Sequence, residues 1–228
     1  MNAQKSIAEI NQAIVECRAC PRLVEWRERV AREKVARFSN HDYWGRPVPG
    51  FGDPHARLIV VGLAPAAHGG NRTGRIFTGD RSGDWLFASM HRTGWANQPT
   101  SVSSDDGLRL LDAYVVAIVR CAPPANKPTP AERDACMPYH LRELTAMKSL
   151  EVIVALGSFA WDNSLRAHAA LTGERVTPRP KFGHLAECAL GDRVLIGSFH
   201  PSQQNTFTGK LTEPMLDAVF HRARELTG

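Results

Sequence analysis

Four short apolar runs, at 58–61, 114–119, 152–156 and 194–199, recur along the chain at fairly even spacing. Each is continuous rather than alternating, the pattern of a strand covered on both faces. Segments with helical character separate or follow them, roughly 82–93, 129–150, 158–171 and 211–226. Thr129 followed by Pro130 fits a helix start with Thr as the cap. This alternation predicts an α/β fold, a three-layer αβα sandwich around a central four-stranded parallel sheet. Ahead of the first strand, residues 4–37 are charged and helix-forming, with Ile7, Ile10, Ile14 and Val15 on one stripe. Residues 40–54, rich in Gly and Pro, read as a loop into the core. The expectation is a single domain over 1–228, with 1–54 as an N-terminal helical extension and loop tied on through cysteines.

Each predicted strand runs straight into a distinctive loop: GLAP, CAPPANKPTP, GSFAW and HPSQQNTFTGK. In a parallel sheet these loops share the carboxyl edge, where ligands bind, so the sequence predicts one polar cleft. The first is the densest in chemistry. It carries Pro65, His68, Asn71, Arg72, Arg75, Phe77 and Asp80 within LIVVGLAPAAHGGNRTGRIFTGD. Gly69-x4-Gly74-Arg75-Ile76 approaches a phosphate-cradling loop but lacks the Lys and the Ser/Thr after it. Neither the phosphate contact nor the Mg²⁺ ligand can form, which excludes nucleotide hydrolysis.

Composition adjusts this picture modestly. A net charge of +5 and a pI near 9.1 hint at an acidic partner such as nucleic acid or a membrane surface. No run approaches the ~18 apolar residues of a membrane span. The first residues show no signal-peptide pattern, so a cytoplasmic protein without membrane contact is expected. The cysteines are Cys17, Cys20, Cys121, Cys136 and Cys188, an odd set that argues against a disulfide framework. The spacing of Cys17 and Cys20 lets one turn present both sulfurs, and Cys121 with Cys136, with fourteen residues between them and so unlike the usual zinc-ribbon repeat, invites a four-cysteine site. Spacing leaves zinc and a [4Fe–4S] cluster both open. Cys188, within LAECAL, reads as a core thiol.

Gly62-Leu-Ala-Pro65 with Phe77-Thr-Gly-Asp80, Cys121-Ala-Pro-Pro-x-Asn126 and His200-Pro-Ser202 together resemble the uracil-DNA glycosylase superfamily. The longer strings GLAPAAHGGNRTGR-x-FTGD and HPSQQNTFTGKLT look like its family 5, the type-b enzymes with an iron–sulfur cluster. The resemblance implies a monofunctional glycosylase acting on DNA that contains deaminated bases, uracil and others such as hypoxanthine. It also implies a [4Fe–4S] cluster on Cys17, Cys20, Cys121 and Cys136. Many relatives place an acidic or amide residue soon after the first Gly, whereas Leu63, Ala64 and Pro65 stand here. Similarity to family 5 then points to Asp80 as the water-activating carboxylate. The Arg-rich insertion of the covalently trapping relatives is missing, which implies turnover.

In that frame Phe77 stacks on an extruded base, Asn126 reads its edge, and Gly62 and Ala64 lie beside it. His200 would donate to the base carbonyl as negative charge grows. Asp80 competes with itself, since it also precedes a helix as a potential N-cap. Gln203, Gln204 and Asn205 are expected to fill the gap left in the DNA, while Lys210, Arg72 and Arg75 hold phosphates. The expected enzyme is a monomer. The alternative is a non-catalytic iron–sulfur protein that binds lesions in DNA; a zinc-bound structural module without lesion specificity is a further possibility.

Overall fold

The structure, a computed structural model, describes residues 3–228. In chain order the elements are α1 (Ala3–Val15), α2 (Pro21–Glu33), β1 (Phe51–Gly52), β2 (Leu58–Gly62), α3 (Gly70–Thr73) and α4 (Arg81–Arg92). They continue with β3 (Ala113–Ala117), α5 (Pro130–Ala146), β4 (Val152–Leu156), α6 (Ser158–Thr172), β5 (Glu187–Leu190), β6 (Arg193–Ser198), α7 (Gln203–Phe207) and α8 (Glu213–Leu226). The sheet runs β1-β3-β2-β4-β6-β5. Its four central strands are parallel, as the apolar runs predict, and every residue of β2, β3 and β4 is buried.

Two short antiparallel strands, β1 and β5, extend the predicted sheet at its edges. β1 has two residues, too few for a periodic signal. β5 alternates exposed and buried, with Cys188 and Leu190 turned inward, so Cys188 is a core thiol.

The pleat of each central strand sorts its side chains onto opposite faces. Ile59 and Val61 join Val116, Ile153, Ala155 and Leu195 beneath α1, α5 and α6. Leu58 and Val60 join Val115, Val154 and Ile196 beneath α4 and α8, with Phe87, Trp95 and Phe220. Two cores thus sandwich one sheet. Helix starts follow the chemistry of the caps: Thr129 and Glu132 form a reciprocal capping box at α5, and Thr212 caps α8.

The N-terminal helices are bound to the core by more than cysteine. Ile7, Ile10 and Ile14 of α1 and Leu23 of α2 are buried in the same cluster as Ile59 and Tyr114. The Asn11 side chain meets the Tyr114 hydroxyl at 3.2 Å. Ile14→Ala should therefore cost about 2–5 kcal/mol, the range for emptying a core site. Chemical denaturation should show one cooperative transition with a lower midpoint; a loss below about 0.5 kcal/mol would make α1 a mere appendage.

Candidate active site

The carboxyl ends of β2, β3 and β6 open into one cleft of about 540 Å³, lined among others by Ala64, Phe77, Asp80, Arg81, Asn126 and His200. The predicted convergence of the first, second and fourth loops is thus present. The GSFAW loop contributes differently, through the Gly157 N–H that binds the Ser198 carbonyl just before His200.

Phe77 stands at the floor in a left-handed conformation, φ 51°, which a bulky side chain rarely adopts. Its ring packs over Gly62, where a Cβ would come within 2.7 Å of Cζ. Gly62 therefore acts beneath the ring and not as a wall of the cleft, a correction to the direct base contact expected of it. The imidazole of His200 lies 5.8 Å from the Phe77 ring, tilted by 37°. Burial pushes the His200 imidazole down to about 4, so it is neutral around neutral pH. Its ring nitrogens have no partner among the described residues, which leaves them to a ligand. The residue is held by its backbone instead, because Asn205 Nδ2 donates to the His200 carbonyl at 2.8 Å.

Asp80 caps α4, its Oδ1 accepting from the Gly83 N–H at 3.0 Å. The other oxygen, Oδ2, lies where any side chain at position 69 would fall, 2.0 Å from an ideal Cβ on Gly69. Burial raises the Asp80 carboxyl, while the Gly83 and Ser82 N–H groups oppose that rise. One oxygen is thus spent on the helix, and the carboxylate still borders the cleft.

Asn126 follows Ala125, and both are left-handed, at φ 56° and 53°. Asn tolerates this region better than most residues. Its amide has no protein partner among the described residues and is exposed at the cleft. Gln203 and Gln204, in the first turn of α7, are exposed there too. Phe207, 67% exposed, carries the Arg81 guanidinium 4.3 Å above its ring. Lys210 sits 4.9 Å from the Phe199 ring.

Two arginines do not stand where the sequence puts them. Arg75 is 4% exposed and paired with Asp106 at 2.7 Å, with Ser101 and Thr78 as further partners. Arg72 donates to the carbonyls of His68 and Gly79 and lies over Phe38. Both build the loop from within and offer nothing to phosphate. Asn205 is likewise turned inward onto His200. The exposed cation at the mouth is Arg81, which sequence reasoning missed because a basic residue in a first helical turn opposes the helix dipole.

Cys17, Cys20, Cys121 and Cys136 line a second, far smaller cavity of about 10 Å³. It brings the turn between α1 and α2 against the loop after β3 and the second turn of α5. All four are free thiols, and burial pushes Cys121 up to about 12 and raises Cys20 and Cys136. No three His, Cys, Asp or Glu side chains among the described residues converge to hold a single metal ion. Cys188 lies elsewhere, on β5.

The profile of the uracil DNA glycosylase superfamily matches residues 49–224. The chain is 55% identical, over 98% of its length and 82% of the other, to a protein of Mycobacterium tuberculosis named type-5 uracil-DNA glycosylase. Proteins of the same name from Mycobacterium leprae and Thermus thermophilus are 52% and 50% identical, over 98% and 95% of this chain and 96% of each relative. Independently of these likenesses, the imidazole of His200 should remain neutral in a ¹⁵N NMR titration until pH approaches about 4. Protonation near the ordinary histidine value, about 6.5, would contradict its enclosed setting.

Proposed function

The chain belongs to the uracil-DNA glycosylase superfamily, and on that premise we propose how its own residues release a base from DNA. It is a uracil-DNA glycosylase, a hydrolase that cuts the N-glycosidic bond of uracil in DNA. The observation that carries the mechanism is the meeting of the Asp80 carboxylate, the neutral His200 imidazole and the Phe77 ring in one cleft.

The target nucleotide must leave the stack before anything can reach its sugar. Phe77 offers the extruded base a face, and stacking of this kind contributes ~1–3 kcal/mol. The unpartnered amide of Asn126 donates to a base carbonyl and accepts from a ring N–H. As the bond from N1 to C1′ lengthens, its electron pair leaves with the base and negative charge grows on the carbonyl oxygen. A neutral imidazole N–H aimed there strengthens its hydrogen bond in the transition state without surrendering its proton. Asp80 faces the sugar, balances the oxocarbenium-like charge and takes the proton of the water whose oxygen bonds to C1′. Its raised affinity for protons suits it to that task. The small side chains of Ala64 and Ala66 leave room for a two-ring deaminated base such as hypoxanthine.

Single-turnover release of free uracil from a duplex tests this directly. His200→Ala should slow release on the order of 10²-fold, the loss of one oxyanion donor. Asp80→Asn should slow it at least as much while leaving DNA affinity intact. Because the Asp80 carboxyl is raised, the rate of the unmodified enzyme should fall with acid already above the ordinary aspartate value of 3.8. Wild-type rates from Asp80→Asn would leave that residue as a helix cap only.

Cys17, Cys20, Cys121 and Cys136 fit a [4Fe–4S] cluster. Four thiols from the α1–α2 turn, the loop after β3 and α5 line one cavity, the all-thiolate donor set that such a cluster takes. When bound, the cluster cross-links the α1–α2 turn to α5 and supplies no chemistry to the cleft. Phosphates fall to Arg81, Lys127 and Lys210, which are exposed, in place of Arg72 and Arg75.

Gln203 and Gln204 project from α7 toward the position an extruded nucleotide vacates, and Phe207 beside them is the apolar side chain able to fill a stack. Replacing Gln203 and Gln204 by Gly should slow release from paired duplex much more than from single-stranded DNA, where no gap forms. Equal losses on the two substrates would remove the wedge role.

A further inference from the structure

Arg27 of α2 is 2% exposed, yet among the described residues its positive charge meets no buried carboxylate. Its nearest anion is Glu28 at 3.9 Å, a third exposed and already bonded to Arg18. Arg120, which also lines the cysteine cavity, differs in its charge balance: fully buried Glu143 takes its Nη2 at 2.5 Å, although its Nε and Nη1 have no partner among the described residues. An internal guanidinium without a counter-ion is strongly unfavourable, so such a group marks a missing anion. The contacts of Arg27 say where that anion belongs. Nη1 points at Cys121 Sγ, 3.4 Å away, and Nη2 donates to the Cys17 carbonyl at 3.3 Å. Nε has no partner.

We infer that Arg27 is the counter-charge and the N–H···S donor of the iron–sulfur site, a positioning residue that retains the cluster and sets its potential. This rests on the reading of the four cysteines as cluster ligands. A cubane held by four thiolates carries net negative charge, and one full guanidinium beside it offsets that charge where water is excluded. The fork geometry contributes too, because one arm reaches a ligand sulfur while the other fixes the backbone of a second ligand. Lysine would keep the charge and lose the fork. Hydrogen bonds to the sulfurs and nearby charge are the levers by which a protein sets the potential of such a centre. The backbone of Arg27 adds a further constraint, since its carbonyl accepts from Asn71 Nδ2 at 3.2 Å, within the loop that carries Asp80.

The test uses the full chain purified anaerobically, with Arg27→Gln, Arg27→Lys and, as a surface control on the same helix, Arg29→Gln. Iron and sulfide content, the rate of bleaching near ~400 nm under a chelator, and the midpoint potential are measured. Arg27→Gln should lose its cluster ~10–100-fold faster, the usual effect of removing a residue that supports a metal ligand. Its potential should also fall, because loss of positive charge disfavours the added electron. Arg27→Lys should recover the potential more fully than the retention rate, and Arg29→Gln should match the unmodified protein. Should Arg27→Gln fail to fold, the split between potential and retention in Arg27→Lys carries the test. If the unmodified protein holds iron and sulfide while both Arg27 variants bleach and titrate like it, the inference is overturned and the cluster stands. An unmodified protein without iron or sulfide would overturn the cluster itself, and Arg27's role with it.

Discussion

The catalytic edge depends on β2 being hydrogen-bonded on both sides at once, in parallel, by β3 and β4. Parallel pairing sends all three chains out of the sheet in the same direction. The ladder even outlasts β3, because Ile118 N–H reaches the Gly62 carbonyl and Val119 N–H that of Leu63. The first and second loops therefore leave side by side, which brings Phe77 and Asn126 within one cleft although 49 positions separate them. On the far side Gly157 N–H ties the end of β4 to Ser198 of β6, which places His200. A slip of one residue in any of these registers would exchange the side chains that face the two cores along a fully buried strand.

Within that frame the loops are compressed to a degree that only glycine permits. Phe77 lies on Gly62, the Asp80 carboxylate on Gly69, and the Phe77 carbonyl against Gly83, with 1.9 Å to an ideal Cβ there. Phe77, Ala125 and Asn126 also hold left-handed backbone, a cost of order 1–3 kcal/mol at each non-glycine position. The surrounding core supplies what that strain requires. Three of the six left-handed non-glycine residues among the described residues fall on the two loops whose side chains face the cleft, the others being Lys34, Asp112 and Leu185.

Much of this was legible in the chain. Continuous apolar runs gave away β2, β3, β4 and β6, because strands buried on two faces tolerate nothing else. Thr129-Pro130 announced α5, and Asp80 was readable as both cap and cleft residue. What stayed hidden depends on distant partners. β1 is too short to show a period, and β5 pairs only because its neighbour is present. Arg72 and Arg75 resembled surface cations until the segments at 38–45 and 101–106 folded over them. Arg27 sits on a helix rich in exposed charge, and only the cysteine-lined cavity beside it distinguishes it.

The interior arginines alter the meaning of the net charge. Of the formal +5, Arg27 and Arg72 lie inside, Arg72 within electrostatic reach of Asp80, and Arg75 and Arg120 are neutralised by Asp106 and Glu143. The outer surface is thus less positive than the sequence suggests, and on the proposed reading phosphates fall to the exposed Arg81, Lys127 and Lys210. Each phosphate neutralised releases condensed counterions, and the number released sets how steeply affinity falls with salt. If phosphate contact rests on those three cations alone, a protein of this design holds undamaged DNA loosely and keeps scanning at cellular ionic strength. Its residence on any one site is governed by whether a base enters the cleft.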